Sequence, residues 1–303
     1  MVVASLQDNG NLFSSEDLRD GDAWHSFTGC DGGTVLFIAT GQVIHNNTSN
    51  REIHVSKWNG IILRDDGVIP VTPEMKPLKT SIFDVVRKPR FKNPFGQLMY
   101  AVAGNNNQIF GLFASIDGSG LHWESLGTIN VDSNSGITAI SSTDGFSVYV
   151  GTSGGRMFFF GPQSRTQLEL GVDVPGHIAS GNPDSTITHI TAANDNAIYA
   201  LYNMWPGSGY VLRLDGFAYT TLANGFPGDA FFALEADGDG VVYVATDDHV
   251  YLSLDQGNTW QRVSLDLPRC VHCSDLHFVQ NSDGAKYLYL FTYGRSLWQA
   301  RLD

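Results

Sequence analysis

The sequence predicts an all-β protein folded as a single β-propeller of four-stranded blades, and three observations lead to this fold class. Short apolar segments centred on a tyrosine recur along the chain, a turn signal precedes each of them, and helical periodicity is nearly absent. Repeats of this size that read as four strands are typical of propeller blades, which must stack on one another to bury their faces. The whole chain, residues 1–303, is therefore predicted to be one domain.

The repeat is clearest in five segments that are spaced by 44 to 50 residues. Their central residues are Tyr100, Tyr149, Tyr199, Tyr243 and Tyr289. Asp-Gly and similar pairs ahead of them tolerate the positive φ of a tight hairpin. Residues 35–38 and 2–4 are predicted to be weaker copies, which makes seven units with incomplete ends. Seven blades are therefore favoured, with six as the alternative, and a long insertion is predicted at about 60–95.

Residues 253–260 read Ser-Leu-Asp-Gln-Gly-Asn-Thr-Trp, which is the pattern of a specialised turn. The Asp255 carboxylate is able to accept backbone N–H bonds across the turn, and Gly257 takes the strained position. Trp260 is predicted to fold back as an apolar anchor. A second copy with one extra residue spans 115–123. Shorter, eroded copies lie at 215–219 and 21–24. All are predicted to join the third strand of a blade to the fourth.

On these residues the chain resembles the Asp-box (BNR-repeat) propellers of the sialidase-like, sortilin-like and xyloglucanase-like kind. The stretches 6–10, 31–33 and 292–298 strengthen the likeness. The resemblance implies a propeller in which the Asp boxes are structural and lie away from the ligand face. A sialidase of this family carries an Arg-Ile-Pro element near its start, whereas residues 68–70 read Val-Ile-Pro, so sialidase activity is not expected. A shared fold hosts unrelated activities, so the resemblance does not choose a function.

The charge balance argues against a nucleic-acid partner and against binding to an anionic membrane. Lys and Arg total 18 against 31 Asp and Glu, a formal net charge of −13. Nucleic-acid binding requires a basic track that neutralises phosphates. The densest basic stretch, residues 87–92, is short and is predicted to be a solvated loop. No apolar run is long enough for a membrane span, and the start does not read as a signal peptide. An extracellular location is preferred. The sequence determines neither the location nor the oligomeric state.

No cofactor motif is present, and no metal site is expected. Cys270 and Cys273 form a single pair near His277, whereas a structural zinc site usually brings two such pairs. A local disulfide or buried thiols are favoured for them, and Cys30 is left over. Residues 237–240, Asp-Gly-Asp-Gly, lack the remaining ligands of a calcium site.

Recognition of a carbohydrate or another small molecule is the leading functional hypothesis. Trp205 lies in a loop beside Pro-Gly, between Tyr202 and Tyr210, and aromatic faces stack on pyranose rings. Equivalent loops of other blades supply further candidate ligand-binding residues: Arg156, His249, Tyr293 and Arg295. The alternative for Trp205 is that it anchors its loop.

A glycoside hydrolase or other pocket enzyme is the second hypothesis, because hydrolysis requires two carboxylates about 5 to 10 Å apart. Asp8 and Asp31 are the first candidates, with turn capping as their alternative role. Glu235 follows an apolar run and is predicted either to point into the channel or to be solvated. A protein-interaction scaffold with a flat, uncharged face is the third hypothesis. Whether the chain is an enzyme is therefore left open.

Overall fold

The computed structural model describes most strands of the chain and part of their connections. The described residues are 2–6, 10–14, 25–28, 32–38, 42–47, 52–58, 63–70, 73–75, 82–114, 120–131, 135–170, 185–193, 197–204, 210–216, 218–222, 231–237, 239–246, 249–263, 273–280, 284–292 and 297–302. Apart from a 3₁₀ turn at Pro73–Met75, every regular element among them is a β-strand. The structure therefore confirms the all-β class.

The described strands form seven sheets, each made of strands that are consecutive in the chain. Sheet 1 contains β1 (Val2–Leu6), β2 (Gly10–Ser14) and β3 (His25–Thr28). Sheet 2 contains β4 (Gly32–Phe37), β5 (Gln42–Asn47), β6 (Glu52–Trp58) and β7 (Leu63–Ile69). Sheet 3 contains β8 (Ile82–Val85), β9 (Met99–Asn105), β10 (Gln108–Ala114) and β11 (Leu121–Thr128).

The second half of the chain repeats the same pattern. Sheet 4 contains β12 (Ile137–Ser141), β13 (Val148–Thr152), β14 (Met157–Gly161) and β15 (Thr166–Leu170). Sheet 5 contains β16 (Ser185–Ala192), β17 (Ala197–Met204), β18 (Tyr210–Asp215) and β19 (Ala218–Thr221). Sheet 6 contains β20 (Phe231–Ala236), β21 (Val242–Thr246), β22 (Val250–Ser253) and β23 (Gln261–Val263). Sheet 7 contains β24 (Cys273–Gln280), β25 (Lys286–Thr292) and β26 (Leu297–Leu302).

The repeated tyrosines all lie on the second strand of their sheets. Those strands are β9, β13, β17, β21 and β25. The two weaker copies were placed wrongly in the repeat. Residues 35–37 of the copy at 35–38 lie in β4, and residues 2–4 lie in β1, and both are the first strands of their sheets. Short apolar strands look alike in sequence, and only pairing distinguishes the first strand from the second.

The number of blades rests on the two sheets at the ends of the described chain. Sheets 2 to 6 are complete four-stranded blades, whereas sheets 1 and 7 have three strands each. Five complete blades and two incomplete end sheets support six blades, the stated alternative, and not the preferred seven.

The stretch predicted as an insertion at 60–95 contains regular strands. Residues 63–69 form the fourth strand of sheet 2, and Ile82–Val85 forms the first strand of sheet 3. The extra length lies in residues 86–98, where the first hairpin of sheet 3 is expanded. A backbone bond from Val86 N to Tyr100 O (2.9 Å) continues the pairing beyond β8.

The chain divides into two compact units. One comprises Met1–Asn130, Ile140–Val148 and Phe160–Gln167, and the other comprises the remaining residues. In the first unit, side chains of sheets 2 and 3 share one apolar core. In the second unit, one core lies between sheets 5 and 6 and another between sheets 6 and 7. Apolar side chains between neighbouring sheets are what stacked blades require.

No helix in the described part of the chain has the length and apolar character needed to cross a membrane.

Candidate functional site

The first strands of sheets 5, 6 and 7 share a β-bulge. The pairing register shifts between Ile187 and His189, between Phe231 and Ala233, and between Cys273 and Asp275. Each strand thus carries one extra residue: Thr188, Phe232 or Ser274. Bulges re-aim the side chains that follow them and are common next to functional sites.

After each bulge, the same register position lies opposite the repeated tyrosine. Thr191 pairs with Tyr199, Glu235 with Tyr243, and His277 with Tyr289. Two residues earlier, on the same strand face, stand His189, Ala233 and Asp275. The repeat therefore brings a set of polar side chains to equivalent places on three consecutive first strands.

His277 joins carboxylates from two sheets. Its Nε2 lies 3.1 Å from Oδ2 of Asp275 on the same strand, and its Nδ1 lies 3.7 Å from Oε2 of Glu235 in sheet 6. The His277 side chain is 54% exposed, whereas that of Glu235 is only 5% exposed. The imidazole is therefore open to solvent on one side and held by carboxylates on both nitrogens.

Glu235 extends these contacts to sheet 5. Its Oε1 accepts hydrogen bonds from the Ala236 N–H (2.9 Å) and from Oγ1 of Thr191 (3.3 Å). A chain of polar contacts thus runs from Thr191 through Glu235 to His277 and Asp275, and its link between Glu235 and His277 is an ion pair. The structure buries Glu235, so of its two predicted roles simple solvation is wrong. A buried carboxylate with this many partners is held in one orientation.

The two histidines of the cluster have pKa values shifted in opposite directions. The charge of Asp275 raises the pKa of His277 well above its ordinary value, and hydrogen bonds to Asp275 and Glu235 add to this against the effect of burial. Burial would raise the pKa of Asp275, but the charge and hydrogen bond of His277 lower it overall. Burial lowers the pKa of His189, against the charges of Asp275 and Glu235. The shifts favour the protonated form of His277 and the neutral form of His189.

His189 and Asp275 lie toward the ends of the sheets where second strands connect to third strands. His189 pairs with Leu201, close to the end of β17, and Asp275 pairs with Phe291, next to Thr292 at the end of β25. The Nδ1 atom of His189 is buried and makes no hydrogen bond within the described structure. The loops that were predicted to bind a ligand connect at these same ends.

Two of the predicted ligand-binding tyrosines are in the core. Tyr202 is fully buried and Tyr210 is 8% exposed. Their rings stack on each other with centroids 4.7 Å apart and an interplanar angle of 7°. Burial raises the pKa of Tyr210 to about 12. Neither ring offers a face to a ligand in this structure, because each covers the other and apolar side chains of sheets 4 and 5 cover both.

Arg156 and His249 occupy equivalent turns between second and third strands. A buried threonine closes each turn: Thr152 Oγ1 accepts from the Arg156 N–H (3.1 Å), and Thr246 Oγ1 accepts from the His249 N–H (3.1 Å). The Arg156 guanidinium donates to Glu169 (2.7 Å to Oε1) and lies 5.0 Å from the centre of the Phe158 ring. The turns are as predicted, but Arg156 is already engaged within its own sheet.

The remaining candidates lie outside the described residues: Asp8, Asp31, Trp205, Tyr293, Arg295, Cys30 and Cys270. Their predicted roles stay predictions. Cys273 is buried at the start of β24. Within the described part of the chain, no three His, Cys, Asp or Glu side chains are placed so that they could bind one metal ion.

The turn at 253–260 has the geometry that its sequence predicts. Asp255 Oδ1 accepts from the Thr259 N–H (2.8 Å) and from Oγ of Ser253 (2.8 Å), while Oδ2 accepts from Oγ1 of Thr259 (2.6 Å). Gly257 has φ of +91° and Trp260 packs on the core between sheets 5 and 6. The turn joins β22 to β23, the third and fourth strands of sheet 6, as predicted.

Sequence reasoning missed His189 and Asp275, and it considered His277 only as a zinc ligand. One signal was available for His277. Because the first strand pairs with the second across a hairpin, the residue opposite each repeated tyrosine is fixed once the turn is placed. The positions of His189 and Asp275, which are nearer the strand start, cannot be derived in this way. The bulge shifts the alternation of apolar and polar residues by one position.

Comparison with known proteins identifies the fold and no family. No family model matches the chain, and no curated protein matches it. Among solved structures, the chain resembles a catalytically inactive histidine-to-alanine variant of virginiamycin B lyase from Staphylococcus aureus with quinupristin. That match has 14% identity and a TM-score of 0.63 over 99% of this chain and 94% of the other.

Two further solved structures give the same picture. The WD40 β-propeller domain of Doa1 matches with 10% identity and a TM-score of 0.62 over 99% of this chain and 88% of that one. The extracellular domain of BT4673 from B. thetaiotaomicron matches with 16% identity and a TM-score of 0.61. The match covers 100% of this chain but only 38% of the BT4673 chain. Identities this low show the fold alone: the chain is a β-propeller with four-stranded blades. Membership of the Asp-box propellers is not shown.

Proposed function

We propose that this propeller recognises a small polar ligand, with a carbohydrate as the favoured class, at the cluster formed by His277, Glu235, Asp275 and His189. One observation carries the proposal: a half-exposed imidazole is fixed by carboxylates from two neighbouring sheets. Ligand sites combine few, well-oriented polar groups of this kind with apolar surroundings. Carboxylates and imidazoles of fixed orientation match the paired hydroxyl groups of a sugar.

The loops with predicted ligand-binding residues support the same location. The connection that contains Trp205 follows β17, whose Leu201 pairs with His189. The connection that contains Tyr293 and Arg295 follows β25, whose Phe291 pairs with Asp275. In this proposal Trp205 supplies the stacking surface and the cluster supplies the hydrogen bonds.

Proton transfer is the second candidate function, and the opposed pKa shifts of the two histidines favour it. Titratable groups whose environments push their pKa values apart mark acid and base roles. The raised pKa of His277 suits it to carry a proton that it donates, and the lowered pKa of His189 suits that residue to accept one. The loss of catalysis in a histidine variant of the similar lyase supports this only by analogy of fold.

Hydrolysis by two facing carboxylates is less well supported than ligand recognition or proton transfer. The His277 ring lies between Glu235 and Asp275, where a glycosidic bond would have to stand. An acid-base role for the imidazole is the form of pocket chemistry that this geometry favours. This cluster does not support the interaction-scaffold hypothesis. That hypothesis requires a flat, uncharged face, whereas the cluster contains charged side chains.

A glycan array with purified protein tests the proposal, using wild type, His277→Gln, Trp205→Ala and, as a control on an exposed turn, Asp239→Asn. We expect binding to one sugar class, which His277→Gln and Trp205→Ala abolish and Asp239→Asn retains. Binding that survives His277→Gln but not Trp205→Ala would place recognition in the loops alone. Absence of binding in a folded sample would contradict carbohydrate recognition. Incubating the bound sugar class with wild type and His277→Gln, and analysing products, tests proton transfer.

Two finer features of the fold belong to the same proposal. The propeller that presents the site is proposed to have six blades. The Asp-box turn of sheet 6 supports descent from Asp-box propellers, on the strength of one complete motif and its geometry.

A further inference from the structure

The expanded hairpin of sheet 3 forms a surface with unusual chemistry for this chain. Lys88, Arg90 and Lys92 are exposed, and their side chains make no ion pair or hydrogen bond within the described structure. Phe95 is 71% exposed and Phe146 is 44% exposed. We call these five residues the basic-aromatic ledge. These three cations stand out in a chain whose net charge is −13.

The backbone under the ledge is fixed to the neighbouring loop of residues 142–147. The Lys88 N–H donates to Thr143 O (2.7 Å), and the Arg90 N–H donates to Asp144 O (2.9 Å). Between the cations, Phe91 is buried, and its ring meets that of Phe146 edge-on at 5.6 Å. The segment that carries the cations is therefore fixed beside the loop that carries Phe146.

Phe95 stands at the tip of a turn that is rigidly held. Asn93 Oδ1 accepts from the N–H groups of Phe95 (3.1 Å) and Gln97 (3.0 Å). Its Nδ2 donates to Oε1 of Gln97 (2.7 Å) and to Oε1 of Glu124 (2.8 Å). A large apolar side chain that is exposed on a pre-ordered turn is typical of a binding anchor, because little entropy is lost when it docks.

We propose that the basic-aromatic ledge is a docking surface for an acidic polypeptide segment that carries a large apolar side chain. Acidic side chains pair with Lys88, Arg90 and Lys92, and the apolar side chain covers Phe95. Arg and aromatic residues are enriched at such interfaces. A short segment contacts only the ledge. A nucleic acid or an anionic bilayer extends beyond it and meets the acidic remainder of the chain, which repels it.

Fluorescence anisotropy with a labelled peptide of Asp and Glu residues and one central Leu tests the proposal. Two variants address the ledge, Arg90→Glu and Phe95→Ser. Two matched controls make the same changes at exposed positions elsewhere, Arg262→Glu and Leu168→Ser. We expect saturable binding that each ledge variant weakens by about tenfold or more and neither control changes beyond about twofold. Added salt should weaken binding, and so should replacing the central Leu with Glu.

Three results would overturn the proposal. One is the absence of saturable peptide binding by folded wild type. A second is equal loss of binding in the ledge variants and their controls. The third is a different occupant: equally strong, ledge-dependent binding of an oligonucleotide or an anionic vesicle, or self-association in sedimentation that Arg90→Glu abolishes.

Discussion

At the scale of single residues, Asp255 organises its turn through both carboxylate oxygens. Hydrogen bonds from the Thr259 hydroxyl, the Thr259 N–H and the Ser253 hydroxyl lower its pKa. A carboxylate with a lowered pKa in the folded state stabilises the protein above its ordinary pKa, about 3.9, and loses this effect as the pH falls through the folded value. We expect Asp255→Ala to lower the melting temperature at pH 7 and to have less effect in acid. Thermal unfolding at both pH values measures this.

Asp239→Ala is the control for this prediction. Asp239 is also on a turn of sheet 6, and among the described residues its exposed carboxylate contacts the ammonium of Lys286 (3.2 Å). Surface ion pairs of this kind contribute about 0 to 1 kcal/mol. A melting temperature that changes equally in the two variants would show that the hydrogen bonds of Asp255 do not matter to stability.

His277 provides a second test at this scale. Its raised pKa stabilises the folded state below the ordinary histidine pKa, and this contribution is lost as the pH rises through the folded value. We expect the imidazole, followed by NMR, to titrate above the ordinary value of about 6.5. Asp275→Asn should bring the midpoint down more than Glu235→Gln, because the Asp275 charge has the larger effect. A midpoint at or below the ordinary value in wild type contradicts the proposed imidazolium.

At the scale of elements, Gly151 on β13 permits close packing of sheet 4 against sheet 5. A Cβ atom at this position would lie 2.4 Å from Cγ2 of Ile187 and 3.2 Å from Cδ1 of Ile190. Both isoleucines are buried, so neither moves without cost. We expect Gly151→Ala to lower the free energy of unfolding by about 1 to 3 kcal/mol, as overpacking does. Denaturant unfolding measures the change.

A double-mutant cycle separates this packing effect from backbone effects. Ile187→Ala alone leaves a cavity and should destabilise by about 2 to 5 kcal/mol. Combined with Gly151→Ala it should cost less than the sum of the two, since each change accommodates the other. Additive effects would mean that the glycine is required for its backbone and not for its missing side chain.

The elements also show how much the sequence could predict. Repeated tyrosines and turns depend on local pairings, so the second strands and the turn around Asp255 are where the sequence predicts them. The bulges at Thr188, Phe232 and Ser274 have no common residue type, and they shift the alternation by which side chains are assigned to faces. The contact of Glu235 with His277 joins residues of different sheets, and no local pattern encodes it.

At the scale of the whole molecule, the excess of acidic residues sets the response to salt. With a net charge of −13, the acidic side chains repel one another. This repulsion is stronger in the folded state, where the charges are closer together than in the unfolded chain. Raising the ionic strength from about 0.01 to 0.15 M shortens the screening length from about 30 to 8 Å. We therefore expect the melting temperature to rise over this range in NaCl. Lys92→Glu removes an exposed cation without a partner, so it should make the rise steeper. A melting temperature that falls with NaCl would show instead that attractive pairs, such as Lys286 with Asp239, outweigh the net repulsion.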